Sequence, residues 1–199
     1  MKKVISLILL VIGFAGSAQN EFLKLATDIT PLLIGEKIPN ITLQSIDGKE
    51  ITLESVLNKK RTVLVFYRGG WCPYCNLHLV ALGEAEKQLL DLGYQIVAIS
   101  PDAPKNLKIK EEKDKVNYLL LSDSKGELAR AVGIAFKVPD NYKPIVTQGS
   151  HGVNTNFLPV PSVFIVNVAS EIEFEHITPD FKHRISNELL VAGAKSLMK

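Results

Sequence analysis

The chain has 199 residues, 46% of them hydrophobic, and a formal net charge of +2 from 23 basic and 21 acidic side chains. That composition holds enough apolar material for one good core and makes a single domain the default. The near-balance of charge lacks the clustered basic excess that nucleic-acid and anionic-membrane binders use, so no nucleic acid is expected as a partner.

Near the start, Lys2 and Lys3 precede an apolar run from Val4 to Phe14, and the small residues Gly16, Ser17 and Ala18 follow. This layout reads as a secretory signal peptide over 1–18, cleaved after Ala18. An apolar run of about eleven residues falls short of the roughly 20 that a bilayer-crossing helix needs. No stable membrane association is therefore expected after cleavage, an uncleaved anchor being the alternative. Export would place the protein in the periplasm or outside the cell, where disulfides persist.

Residues 19–34 read as an N-terminal lead-in, amphipathic over 22–34, and the domain proper as 35–199. ITLQSIDGKEITLE reads as two alternating strands joined around Asp47-Gly48, a hairpin turn signal. A short helix is expected from about Ser55, acting as N-cap. TVLVFY (62–67) is apolar without alternation and rich in β-branched and aromatic residues, which suits a strand buried on both faces. The next segment predicts an amphipathic helix with Leu79, Leu82, Leu89 and Leu90 inward and Gly93 as its stop. YQIVAIS (94–100) then completes a strand-helix-strand unit with parallel strands and a right-handed crossover.

Further on, PDAPKNLKIKEEKDK predicts a charged, solvated helix, YLLLSD a strand and SKGELARAVGI a helix. Residues 137–160, with several prolines, glycines and asparagines, read as a long loop that is either a lid or binding loop or an insertion packed on the surface. PSVFIVN and SEIEFEHI predict a hairpin, and a helix from about Ser186 closes the chain.

The only two cysteines are Cys72 and Cys75. Such a pair closes a tiny ring and gains little loop entropy, so its purpose reads as chemical rather than structural. Arg68-Gly-Gly-Trp71-Cys72-Pro73-Tyr74-Cys75 joins a buried strand to a helix. Pro73 suits the first helical position, and the free N–H groups and positive dipole end there favour a thiolate on the exposed cysteine. The second thiol, a turn away, can attack a mixed disulfide or a sulfenic acid formed on the first. A zinc site would need four ligands, and His78 offers only a third. Haem attachment would need a histidine directly after Cys75, where Asn76 stands. His78 is otherwise expected to be a partly exposed helix residue. Pro161 opens a strand. Were its peptide bond cis, the Val160 backbone would be presented beside the cysteines for pairing with a substrate chain; the ordinary alternative is trans.

From about Gly35 to Leu197 the chain resembles the peroxiredoxin-like branch of the alkyl hydroperoxide reductase and thiol-specific antioxidant (AhpC/TSA) family. The segments that carry the likeness are GEKIPNITL, VLVFYRGGWCPYCN, IVAISPD, LLLSDSKGELARAVGI and PSVFIVN. The resemblance implies an α/β, thioredoxin-like fold: a central mixed β-sheet flanked by helices, with an N-terminal β-hairpin extension. In the family's Pro-x-x-x-Thr-x-x-Cys register the attacking cysteine falls on Cys75, the threonine on Cys72 and the proline on Arg68. The usual late-strand arginine falls on Pro161, while Arg68 could supply a replacement positive charge. In the thioredoxin register Trp71-Cys72-x-x-Cys75 matches directly, Cys72 is the exposed attacker, Cys75 resolves, and Pro161 falls on the cis-proline.

The resemblance implies an antioxidant oxidoreductase, a peroxidase that reduces hydrogen peroxide or organic hydroperoxides through a Cys72/Cys75 pair. Its reductant would be thioredoxin-like, and neither a cofactor nor a metal is implied. Two alternatives stand beside it: a thiol-disulfide oxidoreductase acting on protein disulfides, and a binding module whose disulfide is structural.

Overall fold

The computed structural model describes residues 22–115 and 117–198, so the signal-peptide reading of 1–18 lies outside the described residues. In chain order the elements are β1 (Thr42–Ser45), β2 (Glu50–Thr52), α1 (Glu54–Leu57), β3 (Arg61–Phe66), α2 (Pro73–Asp91), β4 (Tyr94–Ser100), α3 (Pro104–Asp114), β5 (Leu119–Ser122), α4 (Glu127–Ala131), β6 (Ala135–Lys137), α5 (Lys143–Gly149), β7 (Phe157–Pro159), β8 (Ser162–Val166), β9 (Ile172–Ile177) and α6 (Asn187–Ser196).

One seven-stranded sheet runs β2-β1-β5-β4-β3-β8-β9. Its centre, β5-β4-β3, is parallel, and β1 and β8 flank it antiparallel. The unpatterned apolar run of β3 has a direct cause. Val63, Val65 and Tyr67 enter one core with α2 and α6, while Leu64 and Phe66 enter the other with α1 and α4. A strand covered on both faces cannot alternate polar residues outward. The hairpin turns at Gly48, whose φ of +76° suits glycine, and β1 pairs with β5 to extend the sheet.

Several local expectations are corrected. Leu53, fully buried, occupies the N-cap of α1, and Ser55 lies inside the helix with its hydroxyl donating to the Thr52 carbonyl. In α2, Leu79, Leu82 and Leu89 are buried but Leu90 is 47% exposed, since one residue on turns it about 100° off the buried stripe. The charged helix α3 is not wholly solvated: Leu107 and Lys110 are buried. At α6 the expected Ser186 cap forms, its hydroxyl accepting from Leu189 N at 3.2 Å.

Residues 137–160 are not a structureless loop. A single 3-10 turn (Asp140–Tyr142) leads into α5, helped by Pro144 in its first turn, and β7 returns antiparallel along β6. Buried Asn154 organises the return. Its Nδ2 donates to Phe157 O at 2.9 Å, and its Oδ1 accepts from the N–H groups of Asn156 and Phe157. Residues 22–34 run without a helix as a strap over this side. Phe22 stacks on Phe157 at 5.1 Å, and Thr30 and Leu32 donate to the carbonyls of Gly133 and Val132.

Candidate active site

The strand-to-helix junction after β3 delivers the motif. Cys72 is the N-cap of α2 in extended backbone (φ −87°, ψ 115°), Pro73 opens the helix, and Cys75 lies in the first turn. Proline fits because the opening N–H has no partner inside the helix. Both thiols are free.

Neither cysteine is exposed, contrary to the expectation for the attacker: Cys72 is 1% and Cys75 0% accessible. The segment between β9 and α6 roofs the junction. Its Phe181 meets Tyr74 edge-on at 5.7 Å, and its Arg184 directs Nη2 at Cys75 Sγ, 3.6 Å away. Arg184 is a neighbour of the thiol pair that the sequence pattern does not reveal. It lies 109 positions from Cys75 in FKHRIS, and no spacing ties it to the motif.

The expected depression of one thiol's pKa falls on Cys72, to about 6. The hydrogen bond from the Cys75 thiol is the main cause, aided by the Cys75 N–H and the charges of Arg68 and Arg184, and burial opposes it. Cys75 is pushed up instead, because its proton is committed to the Cys72 sulfur, it is buried, and a thiolate would face a neighbouring negative charge. Two sulfurs in such contact lose their first proton as a unit.

Arg68 is 3% accessible, and no carboxylate lies within salt-bridge distance among the described residues. Its guanidinium stacks instead on Phe181 at 4.1 Å, Tyr142 at 4.5 Å and Trp71 at 4.9 Å. Such cation–π contacts contribute about 0.5–2 kcal/mol each and leave the charge unneutralised, free to favour an anion beside it. Tyr142 comes from the 137–160 segment, which thereby forms part of the site.

His78 is buried rather than partly exposed. Desolvation, then the nearby Arg184 and His176, push its pKa down to about 4. Pro73 and Tyr74 remain at the surface. The cis reading of Pro161 is corrected, since no described peptide bond is cis. Val160 N donates to Ile134 O at 2.8 Å, Val160 O accepts from Ser162 Oγ at 2.8 Å, and Pro161 O accepts from Thr178 N at 3.2 Å. That backbone is internally paired, and Val160 is fully buried. Pro161 also carries no guanidinium; Arg184 and Arg68 bring positive charge to the thiols from elsewhere. Among the described residues no group of three or more His, Cys, Asp or Glu side chains is placed to hold a metal ion.

Two clefts flank the motif. One of about 630 Å³ lies between α2, α3 and α5, and one of about 410 Å³ lies between α2 and residues 182–188.

A dithiol at the N-terminus of the helix after a central parallel strand, with a β-hairpin closing the sheet beyond it, defines a thioredoxin-fold thiol protein. The AhpC/TSA family model matches residues 34–174, and the chain belongs to that family. It is similar to peroxiredoxin Bcp of Escherichia coli K12, at 25% identity over 77% of this chain and 90% of that one. A bcp peroxiredoxin homologue of Haemophilus influenzae is 33% identical over 53% of this chain and 68% of its own length. Reduced Prx3 of Vibrio vulnificus, solved in complex with hydrogen peroxide, superposes with a TM-score of 0.70 at 17% identity, over 82% of this chain and 99% of that one.

Proposed function

We propose that this protein is a thiol-dependent peroxidase reducing hydrogen peroxide or organic hydroperoxides, with Cys72 as the attacking group. The observation that carries the reading is the buried Cys72–Cys75 dithiol at the start of α2, with Arg184 Nη2 3.6 Å from Cys75 Sγ and Arg68 adding a second positive charge, an arrangement that lowers the pKa of Cys72 and raises that of Cys75. The Cys72 thiolate attacks the terminal peroxide oxygen. The O–O bond breaks, the S–O bond forms, and the leaving alkoxide or hydroxide takes a proton, giving sulfenic acid and an alcohol or water. Cys75 then attacks that sulfur, closing the disulfide and releasing water, and a thioredoxin-like dithiol donor returns both cysteines to thiols.

The peroxiredoxin names of its relatives support this assignment. The signal-like segment supports an exported protein, periplasmic or extracellular, whose Cys72–Cys75 disulfide forms during turnover. Stopped-flow peroxide reduction by the reduced protein tests the reading: oxidation no faster than that of a free thiol of matched pKa would overturn it. A second reading, thiol-disulfide exchange on protein disulfides, is favoured by the Trp71-Cys72-Pro73-Tyr74-Cys75 order and by the low pKa of Cys72. Reduction of a protein disulfide faster than of any peroxide would select it.

A further inference from the structure

The turn that delivers Cys72 is held from outside by residues the reaction itself does not use. Residues 67–71 link β3 to the N-cap, and Cys72 N donates to Gly69 O at 3.1 Å, so the cysteine's backbone follows the turn. The turn sits against Asp102, just beyond β4, which is 5% accessible. Asp102 Oδ2 accepts the Gly70 N–H at 2.6 Å. From the other side, Asn76 on α2 donates Nδ2 to Gly70 O at 2.9 Å. Asn76 is in turn fixed by Lys110 of α3, whose Nζ donates to its Oδ1 at 2.8 Å and pairs with Asp114 at 2.7 Å.

Both backbone polar groups of Gly70 are therefore satisfied by side chains, one from the β4–α3 connection and one from α2, and Lys110 of α3 orients the second. The fit around the carboxylate is close. A Cβ on Gly69 would lie 2.9 Å from Asp102 Oδ1, and one on Gly149 would lie 2.8 Å from it. Gly69 also has a φ of +135°, which glycine alone adopts without strain. Gly149 O accepts from Ala103 N at 2.9 Å and from Asn106 Nδ2 at 2.7 Å, so α5 is tied to the same anchor.

We propose that Asp102 and Asn76 are positioning residues for the reactive thiol, gripping Gly70 through its N–H and its C=O so that Cys72 is held at the N-cap of α2 beside Cys75. The inference builds on Cys72 as the attacker, and its test uses readouts independent of peroxide. Trp71 is the chain's only tryptophan and sits in the gripped turn, so its fluorescence reports the turn directly. Alkylation of reduced protein against pH, with the modified cysteine located by mass spectrometry, reports the half-titration of Cys72.

In Asn76→Ala and Asp102→Ala the Trp71 emission should shift to the red. The Cys72 half-titration should rise by about half to one pH unit, the scale set by losing one hydrogen bond. Asp102→Asn keeps an acceptor for Gly70 N–H and should retain the wild-type emission without raising the half-titration. Charge alone predicts the opposite sign for Asp102→Ala, since removing a nearby carboxylate favours a thiolate. Should Asp102→Ala fail to fold, Asn76→Ala and Asp102→Asn carry the test. Unchanged emission and half-titration in Asn76→Ala, or a rise in Asp102→Asn, would overturn the proposal. A protein inactive toward peroxide but showing these shifts would sink the peroxidase reading and leave the grip intact.

Discussion

Replacing Cys75 by alanine removes the group that contributes most to the acidity of Cys72. The pKa of Cys72 lies well below the ordinary thiol value of 9, at about 6, which favours the thiolate. The Cys75 thiol leads the contributions, ahead of the Cys75 N–H and the charges of Arg68 and Arg184, while burial acts against them. A hydrogen bond to a charged group is worth about 1.5–3 kcal/mol, so its loss should raise the Cys72 half-titration by about 1–2 pH units. Cys75→Ser keeps a donor and should fall between the wild type and Cys75→Ala. Iodoacetamide alkylation of the reduced proteins from acid to alkaline pH gives the midpoints, and peptide mapping assigns the site. A wild-type midpoint near the ordinary thiol value refutes the reasoning, as does first modification at Cys75 or a Cys75→Ala midpoint equal to that of the wild type.

Arg184→Met takes away the guanidinium at Cys75 Sγ and should slow peroxide oxidation by about tenfold or more with the circular dichroism unchanged; stopped-flow rates check it. His78 makes stability depend on pH. Its folded pKa, near 4, lies below the unfolded value of 6.5, so the unfolded chain binds the proton first and stability is lost as pH falls through that window, by about 3 kcal/mol in all. The stability advantage of wild type over His78→Leu, read by urea unfolding, should shrink by about that amount from pH 7 to pH 4, since the opposite-signed titrations of Asp102 and Asp123 cancel in the difference. Leu82→Ala, at a side chain with no accessible surface, should cost about 2–5 kcal/mol by the same measurement.

The gap between sequence and structure follows the range of the interactions. The hairpin around Gly48, the buried strand β3, the helix after the cysteines and the Ser186 cap are local. Each depends on backbone geometry and side-chain periodicity within a few residues, and each is legible in the chain. Leu90, Ser55 and His78 depart from the local pattern because periodicity assigns a face only to within a residue or so, and the covering elements decide which positions are closed. Residues 137–160 look like a loop because Pro and Gly interrupt their pattern. They fold because β6 pairs with β7 and Asn154 satisfies the bend, and neither partner lies within the reach of a local pattern.

The site divides in the same way. By itself the sequence determined that a Cys-Pro-Tyr-Cys pair opens a helix after a buried strand, because proline at the first helical position and the helix dipole act over a single turn. Tertiary structure alone decided which sulfur is acidified and what surrounds it. Arg184 reaches Cys75 from the far end of the chain, Tyr142 and Phe181 enclose Arg68, and Asp102 grips the turn from the exit of another strand. Charge and desolvation act through space, so a residue more than a hundred positions away can set a thiol's acidity while leaving no mark in the spacing around it.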